Sequence, residues 1–192
     1  MHTIKPIAPY SKMIHGSRRL LIRPYRISDR ALCKAAKEKL LAPQNKYDGE
    51  FPVFKDLSPT GFKERLKKYR RRAKELEHFV FGVFLRENME HLGDVDIYII
   101  NGELRWANLG YQIHNHCWNN GYASEASRLA LELSFNVLNL SRVEASTEIG
   151  NIAARKVAIK AGMICEGIRK NFFEDIDYVV FGADSISYTR VQ

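Results

Sequence analysis

The stretch Ile113-His114-Asn115-His116-Cys117-Trp118-Asn119-Asn120-Gly121-Tyr122-Ala123-Ser124 decides how this 192-residue chain folds. Residues 104–114, leading into it, read as a strand. Residues 122–138, leading out of it, read as a long helix with Ala123, Ala126, Leu129, Ala130, Leu133 and Val137 on one stripe. A strand that passes through a short loop into a helix gathers free backbone N–H groups at the positive end of the helix dipole. Gly121 and Ala123 are small enough for a phosphate to approach that backbone. The loop is neither G-x-x-x-x-G-K-S/T nor G-x-G-x-x-G, so it supports neither a P-loop nor a Rossmann site. On the residues alone, two readings stand: a pyrophosphate cradle, and an ordinary strand-to-helix turn.

Upstream, residues 78–86, 93–100 and 104–114 read as three strands, and Asn101-Gly102 is a strong hairpin turn. Consecutive strands with short turns form an antiparallel meander. Before them come a strand at 19–23 closed by Pro24, a helix from Ser28-Asp29 to Leu41, a Pro-containing loop at 42–59 and a helix at 62–77. Downstream come a strand at 142–148 and a helix at 152–161, with Asn151 placed as N-cap and Gly162 as C-cap. Strands at 163–169 and 176–183 follow. This order predicts an α/β (α+β) domain with one mixed, mostly antiparallel sheet of about seven strands, flanked by helices. Residues 1–17 are expected to form a loose arm, with the domain at 18–192.

Composition narrows the function classes. The chain is 45% hydrophobic and 11% aromatic, enough for a real core, and 27% charged without a low-complexity tract. No run approaches the ~18 apolar residues of a membrane span. Residues 1–17 contain no apolar signal-peptide core. Cys33, Cys117 and Cys165 are far apart, form no metal-ligand spacing and fit a reducing cytoplasm. The His114-Asn115-His116 pair is not by itself a zinc pattern, and no metal site is expected. The formal net charge is +8, and +5 of it falls on residues 62–77, which hold eight basic and three acidic side chains. That helix is either a solvated face or a docking face for an acidic partner or RNA.

The ordered set of segments resembles the GCN5-related N-acetyltransferases, in particular the branch that acetylates ribosomal proteins. It comprises Arg19 through Asp29, Leu109-Gly110-Tyr111-Gln112-Ile113, Trp118 through Ala126, Asn151 through Met163, and Glu166-Gly167-Ile168-Arg169. The family's phosphate motif, Gln/Arg-x-x-Gly-x-Gly/Ala, falls on Trp118-Asn119-Asn120-Gly121-Tyr122-Ala123, with Trp118 in place of the usual Gln/Arg. The resemblance implies that acetyl-CoA is the cosubstrate and that amides from Asn119 to Ser124 hold its pyrophosphate. It further implies that Gln112, Ile113 and His114 pair with the pantetheine arm, and that a strand N–H polarises the thioester carbonyl. Asn151 matches the asparagine that meets the pantetheine, and Arg155 stands near enough in sequence to help neutralise phosphate.

Three family residues are missing. Ala158 stands where many relatives have a Tyr acid, Ala154 where a Ser is frequent, and Asn108 where a Glu often precedes the Leu-Gly-Tyr motif. Glu148 and Ser146 remain as candidates for the catalytic proton transfer, since Ser146 matches the base position of amino-terminal acetyltransferases and Glu144 and Glu148 share its strand parity. A site poor in bases suits an α-amine, with pKa ~7.7–8.0 and about 10–17% neutral at pH 7, better than a lysine at ~10.4, about 0.04% neutral. The expected reaction is direct attack of a primary amine, foremost a protein N-terminus, on acetyl-CoA. Polyamines, amino acids or aminoglycosides are alternative acceptors, a non-catalytic acyl-CoA-binding module is an alternative function, and a homodimer is expected from the family's habit.

Overall fold

A computed structural model describes residues 4–49 and 51–190. One eight-stranded sheet runs through it, in the order β1-β2-β3-β4-β5-β6-β8-β7. The strands are β1 (His15–Gly16), β2 (Leu20–Arg23), β3 (His78–Leu85), β4 (His91–Asn101), β5 (Trp106–Ile113), β6 (Arg142–Glu148), β7 (Ile164–Phe173) and β8 (Ile176–Asp184). The helices are α1 (Asp29–Glu38), α2 (Pro59–Lys74), α3 (Tyr122–Asn136), α4 (Ile152–Lys160) and α5 (Ser185–Arg190). Every neighbouring pair is antiparallel except β5–β6. The eighth strand is the two-residue β1, too short for periodicity to register.

Strand parity sorts the sheet into two faces. Val95 and Ile97 of β4, Ala107 and Leu109 of β5, and Val143 and Ala145 of β6 are buried in one core with Ala126, Leu129, Ala130 and Leu133 of α3 and Ala158 of α4. The opposite face of β3 packs with α1 and α2 through Cys33, Ala36, Phe62, Leu66 and Val80. Phe62 and Leu66 thus form the packing face of the basic helix. The helix begins earlier than expected, because Ser58 caps it by accepting from Gly61 N–H and Pro59 suits its first turn.

Ser28 makes no cap bond. Asp29 instead accepts from the Arg26 amide at 2.7 Å and from Arg23 Nη1 and Nη2 at 2.6 and 2.8 Å, forming a bidentate buried pair. Residues 4–17 are not loose. Ile4 and Met13 are 2% exposed and belong to the main core, Tyr10 donates to the Val80 carbonyl, and the Ile7 amide donates to Val137 O at 2.9 Å. Buried apolar side chains at both ends of the segment hold it down, and composition alone gave no period by which to see this. Residues 1–3 of that expected arm, and 191–192 of the expected domain, lie outside the described residues.

Candidate active site

The sheet opens between β5 and β6. Their parallel pairing covers only Trp106↔Arg142, Ala107↔Val143 and Asn108↔Glu144, yet β5 continues to Ile113 and β6 to Glu148. Beyond Asn108 the two strands separate. β6 stays bonded to β8 as far as Glu148↔Tyr178, and β5 to β4 as far as Gly93↔Ile113, so the divergence is a gap inside an otherwise continuous sheet. The His114 amide donates to Leu92 O at 2.8 Å. Antiparallel alternation therefore aims the backbone groups of His114, Gln112 and Gly110 at β4, and those of Ile113, Tyr111 and Leu109 into the gap. Tyr111 also spans it with its side chain, whose hydroxyl donates to Ala154 O of α4 at 2.8 Å.

The mouth of the gap is where β5 turns into α3. Asn119 and Gly121 both have left-handed φ, 65° and 77°. Gly121 is the N-cap, and among the described residues no side chain caps the helix, so the first-turn amides of Tyr122, Ala123 and Ser124 keep the free ends that a phosphate would take. A Cβ at Gly121 would find only Arg19 Nη2, 3.7 Å away. That open approach, with positive backbone ends around it, fits a pyrophosphate. Beside it lies a cavity of about 490 Å³ lined by three cations, Arg19, Arg128 and Lys160, and two carboxylates, Glu125 and Glu132, among others. Sequence reasoning missed Arg19 as a member of this site. Its guanidinium pairs with Glu125, donates to Asn120 O at 3.2 Å and lies over the Tyr122 ring, so the first long strand reaches the helix mouth.

The other expected binding residues fall in three groups. Trp118 Nε1 donates to Ile113 O at 2.7 Å and Asn120 Nδ2 donates to Cys117 O and Trp118 O, so these side chains brace the loop. Asn151 caps α4 by accepting from Ala154 N–H at 3.1 Å, and Arg155 donates to Ile149 O at 3.1 Å. Both stand at the β6 rim of the gap. His114 turns away from it: its ring is fully buried, lies 4.3 and 4.9 Å from the Phe51 and Phe54 rings, and contacts His91 Nδ1 at 3.0 Å. Burial holds its pKa down at about 2 and that of His91 at about 4, so both are neutral rings at physiological pH. Among the described residues, no group of three or more His, Cys, Asp or Glu side chains is placed to hold a metal. Burial pushes Cys117 up to about 11, which leaves it a protonated thiol and a poor nucleophile.

On the α1/α2 face of the gap, parity places Asp94 and Asp96 of β4, Gly110 and Gln112 of β5, and Glu144, Ser146 and Glu148 of β6. Glu144 is held by Arg142 and Arg169, and Glu148 by Lys46 at 2.6 Å. The loop after α1, plain in sequence, closes this side. Gln112 Nε2 donates to Gly49 O, Asn115 Nδ2 donates to Leu41 O and Asp48 Oδ2, and Lys46 reaches β6, so the loop bridges the ends of both strands.

The family model for the acetyltransferase (GNAT) domain matches residues 19–164. The Bacillus subtilis (strain 168) protein named "Probable N-acetyltransferase YjcK" is 34% identical over 113 residues, 58% of this chain and 62% of its own. The chain spans about half to two thirds of the length of the curated relatives it matches first. In fold it is similar to Mycobacterium smegmatis RimJ in complex with CoA-disulfide, at TM-score 0.73 and 21% identity, over 97% of this chain and 91% of that one. It is also similar to the dodecameric spermidine N-acetyltransferase of Vibrio cholerae, at TM-score 0.67 and 18% identity, over 92% and 99%. With the divergent parallel pair, the glycine-led helix mouth and a family match over most of its length, this chain belongs to the GNAT acetyltransferase family.

Proposed function

We propose that the protein transfers an acetyl group from acetyl-CoA to a primary amine within a ternary complex. The observation that carries this is the β5–β6 gap with an uncapped helix N-terminus at its mouth. Acetyl-CoA supplies the activated acyl group. Amides of Asn119 through Ser124, with Arg19 and Lys160 nearby, suit its pyrophosphate, while the gap-facing N–H groups of Tyr111 and Ile113 suit its amide-bearing arm. Asn151 keeps its Nδ2 for the same arm while Oδ1 caps α4. An N–H aimed at the carbonyl stabilises negative charge as it develops there. Glu148 and Ser146 of β6, the candidates for proton transfer read from the sequence, are proposed to line the acceptor side of the gap, with Glu148 bound to Lys46.

The acceptor is foremost a protein N-terminal α-amine. Of the four carboxylates on the α1/α2 face, Glu144 and Glu148 already pair with fixed cations, which leaves room for one ammonium more readily than for a polycation. The similarity to a spermidine acetyltransferase keeps polyamines as the second reading. The exposed basic side chains of α2, among them Lys63, Lys68, Arg70 and Lys74, are the proposed contact to ribosomal RNA or another acidic partner, on the solvent side of the helix and away from its packing residues Phe62 and Leu66. The deciding experiment incubates the full chain and acetyl-CoA with peptides starting with Ser or Ala, spermidine and an aminoglycoside, and follows thiol release and product mass. Acetylated peptide supports the first reading and acetylated spermidine the second. Thiol release with none of the three kinds of acceptor would sink the enzyme reading.

A further inference from the structure

We propose that Asp96 is the proton acceptor for the attacking amine, held in place by His78; this rests on the acetyl-transfer reading above. Three observations place it. First, the register puts Asp96 opposite Gly110, and Gly110 is the first residue on the α1/α2 face of β5 after its pairing with β6 ends at Asn108. Second, the missing side chain of Gly110 is where the Asp96 carboxylate lies: a Cβ there would stand 3.0 Å from Asp96 Cγ and collide with Oδ1. The carboxylate thus leans across β5 toward the apex of the gap, with Ser146 the next same-face residue on β6. Third, His78 Nε2 lies 2.7 Å from Oδ2, while Oδ1 has no hydrogen-bond partner among the described residues. The Asp96 side chain is 36% exposed, so an amine can reach it.

The other carboxylates of this face are engaged. Glu144 is clasped by Arg142 and Arg169, and Glu148 by Lys46. Asp94 accepts the Tyr25 hydroxyl and is in register with Gln112, which carries a side chain where Gly110 has none. Asp96 alone combines an open oxygen, a partner that orients the other oxygen, and a glycine that lets it reach forward. Around it are His78 of β3, Asp94 of its own strand and Tyr69 of α2, with Arg65 of α2 beside Tyr69 and Asp94.

The step balances as follows. The ammonium gives one proton to Asp96 Oδ1, and the neutral nitrogen attacks the thioester carbonyl. The C–N bond forms, the C–S bond breaks, the electron pair leaves on sulfur, and the nitrogen's remaining surplus proton goes to the thiolate or solvent. Asp96 releases its own proton to solvent. His78 is a positioning residue: it packs edge-on against the Tyr98 ring and acts on the reaction through the Asp96 carboxylate.

The test compares wild type with Asp96→Asn, Gly110→Ala and His78→Gln on the Ser- and Ala-led peptides and spermidine. Asp96→Asn should lower kcat about 10²- to 10⁴-fold, the usual contribution of a positioned base. Calorimetry in the presence of CoA should show the amine binding about 10- to 150-fold more weakly, the equivalent of one charged hydrogen bond. Gly110→Ala should lower kcat comparably, since its methyl must displace the carboxylate. His78→Gln, which can still donate to Oδ2, should retain more activity than His78→Ala. The CoA-dependent rise in Tm should persist in all variants, showing that the fold and CoA site survive. Wild-type kcat and amine affinity in Asp96→Asn would overturn the assignment while leaving the acetyl-transfer reading intact. A wild type that acetylates none of these amines would overturn both.

Discussion

Gly121→Val separates the cofactor site from the fold. Gly121 holds φ 77°, a left-handed conformation that costs an L-residue about 1–2 kcal/mol and a β-branched one the upper part of that range. The nearest atom to the new Cβ is 3.7 Å away, so no clash inside the protein adds to this. For a chain of this size, 1 kcal/mol shifts Tm by about 2–4 °C, so the variant should melt about 2–8 °C lower. The new side chain projects into the open approach to the α3 amides, where a pyrophosphate would sit. In wild type, CoA at about 100 times its Kd stabilises by about 2.7 kcal/mol, a rise of about 5–11 °C. In Gly121→Val that rise should vanish. Differential scanning fluorimetry with a CoA titration reads both effects in one plate. A variant that keeps the full CoA-dependent rise would refute the placement of the phosphate at this helix mouth, whatever happens to its basal Tm.

The remaining predictions concern charge and burial. Asp29→Ala strands the buried Arg23 guanidinium and should cost about 3–5 kcal/mol, seen as a lower urea midpoint with unchanged m-value. Burial raises the Asp94 carboxyl to about 7 from its usual 3.8, so it opposes folding progressively as pH rises between those values. Asp94→Asn should therefore gain stability over wild type from pH 4 to pH 7, by at most about 1.4 kcal/mol per pH unit, and the gain should stay constant above. His91 and His114 act in the opposite sense. Their depressed pKa values stabilise the fold above pH 6.5, and that contribution is lost as pH falls toward 4 and 2, so His91→Phe should flatten the acid limb of a pH–Tm profile. Charge reversal at Lys63, Lys68 and Arg70 should weaken binding to ribosomal RNA and its salt dependence while leaving the CoA-dependent rise in Tm intact; equal RNA binding would remove that role for α2.

Local periodicity and capping carried much of the fold. β6 begins and ends where its sequence pattern does, α3 starts at Tyr122 behind its glycine, and Asn151 caps α4 as its position suggests. What the chain does not reveal locally is where pairing stops. The gap arises because β5 and β6 part after Asn108 and Glu144, a fact about two segments more than thirty residues apart. The same holds for the site's other groups. Arg19 meets the helix mouth across the fold, and Asp96 gains access only because Gly110 lies beside it on the next strand. His114 was expected along the cofactor arm because it ends the right strand. Parity aims its backbone at β4, and Phe51, Phe54 and His91 enclose its ring. The segment 4–17 shows the same limit: its apolar residues are too scattered for a period, yet Ile4 and Met13 complete the core.

The most direct measurement is a crystal structure of the full chain grown with CoA. The account predicts pyrophosphate oxygens within hydrogen-bond distance of the Tyr122, Ala123 and Ser124 amides, and a pantetheine arm running along Tyr111 and Ile113 so that its sulfur ends beside Gly110. CoA bound elsewhere, or a gap closed by β5–β6 pairing beyond Asn108, would contradict it.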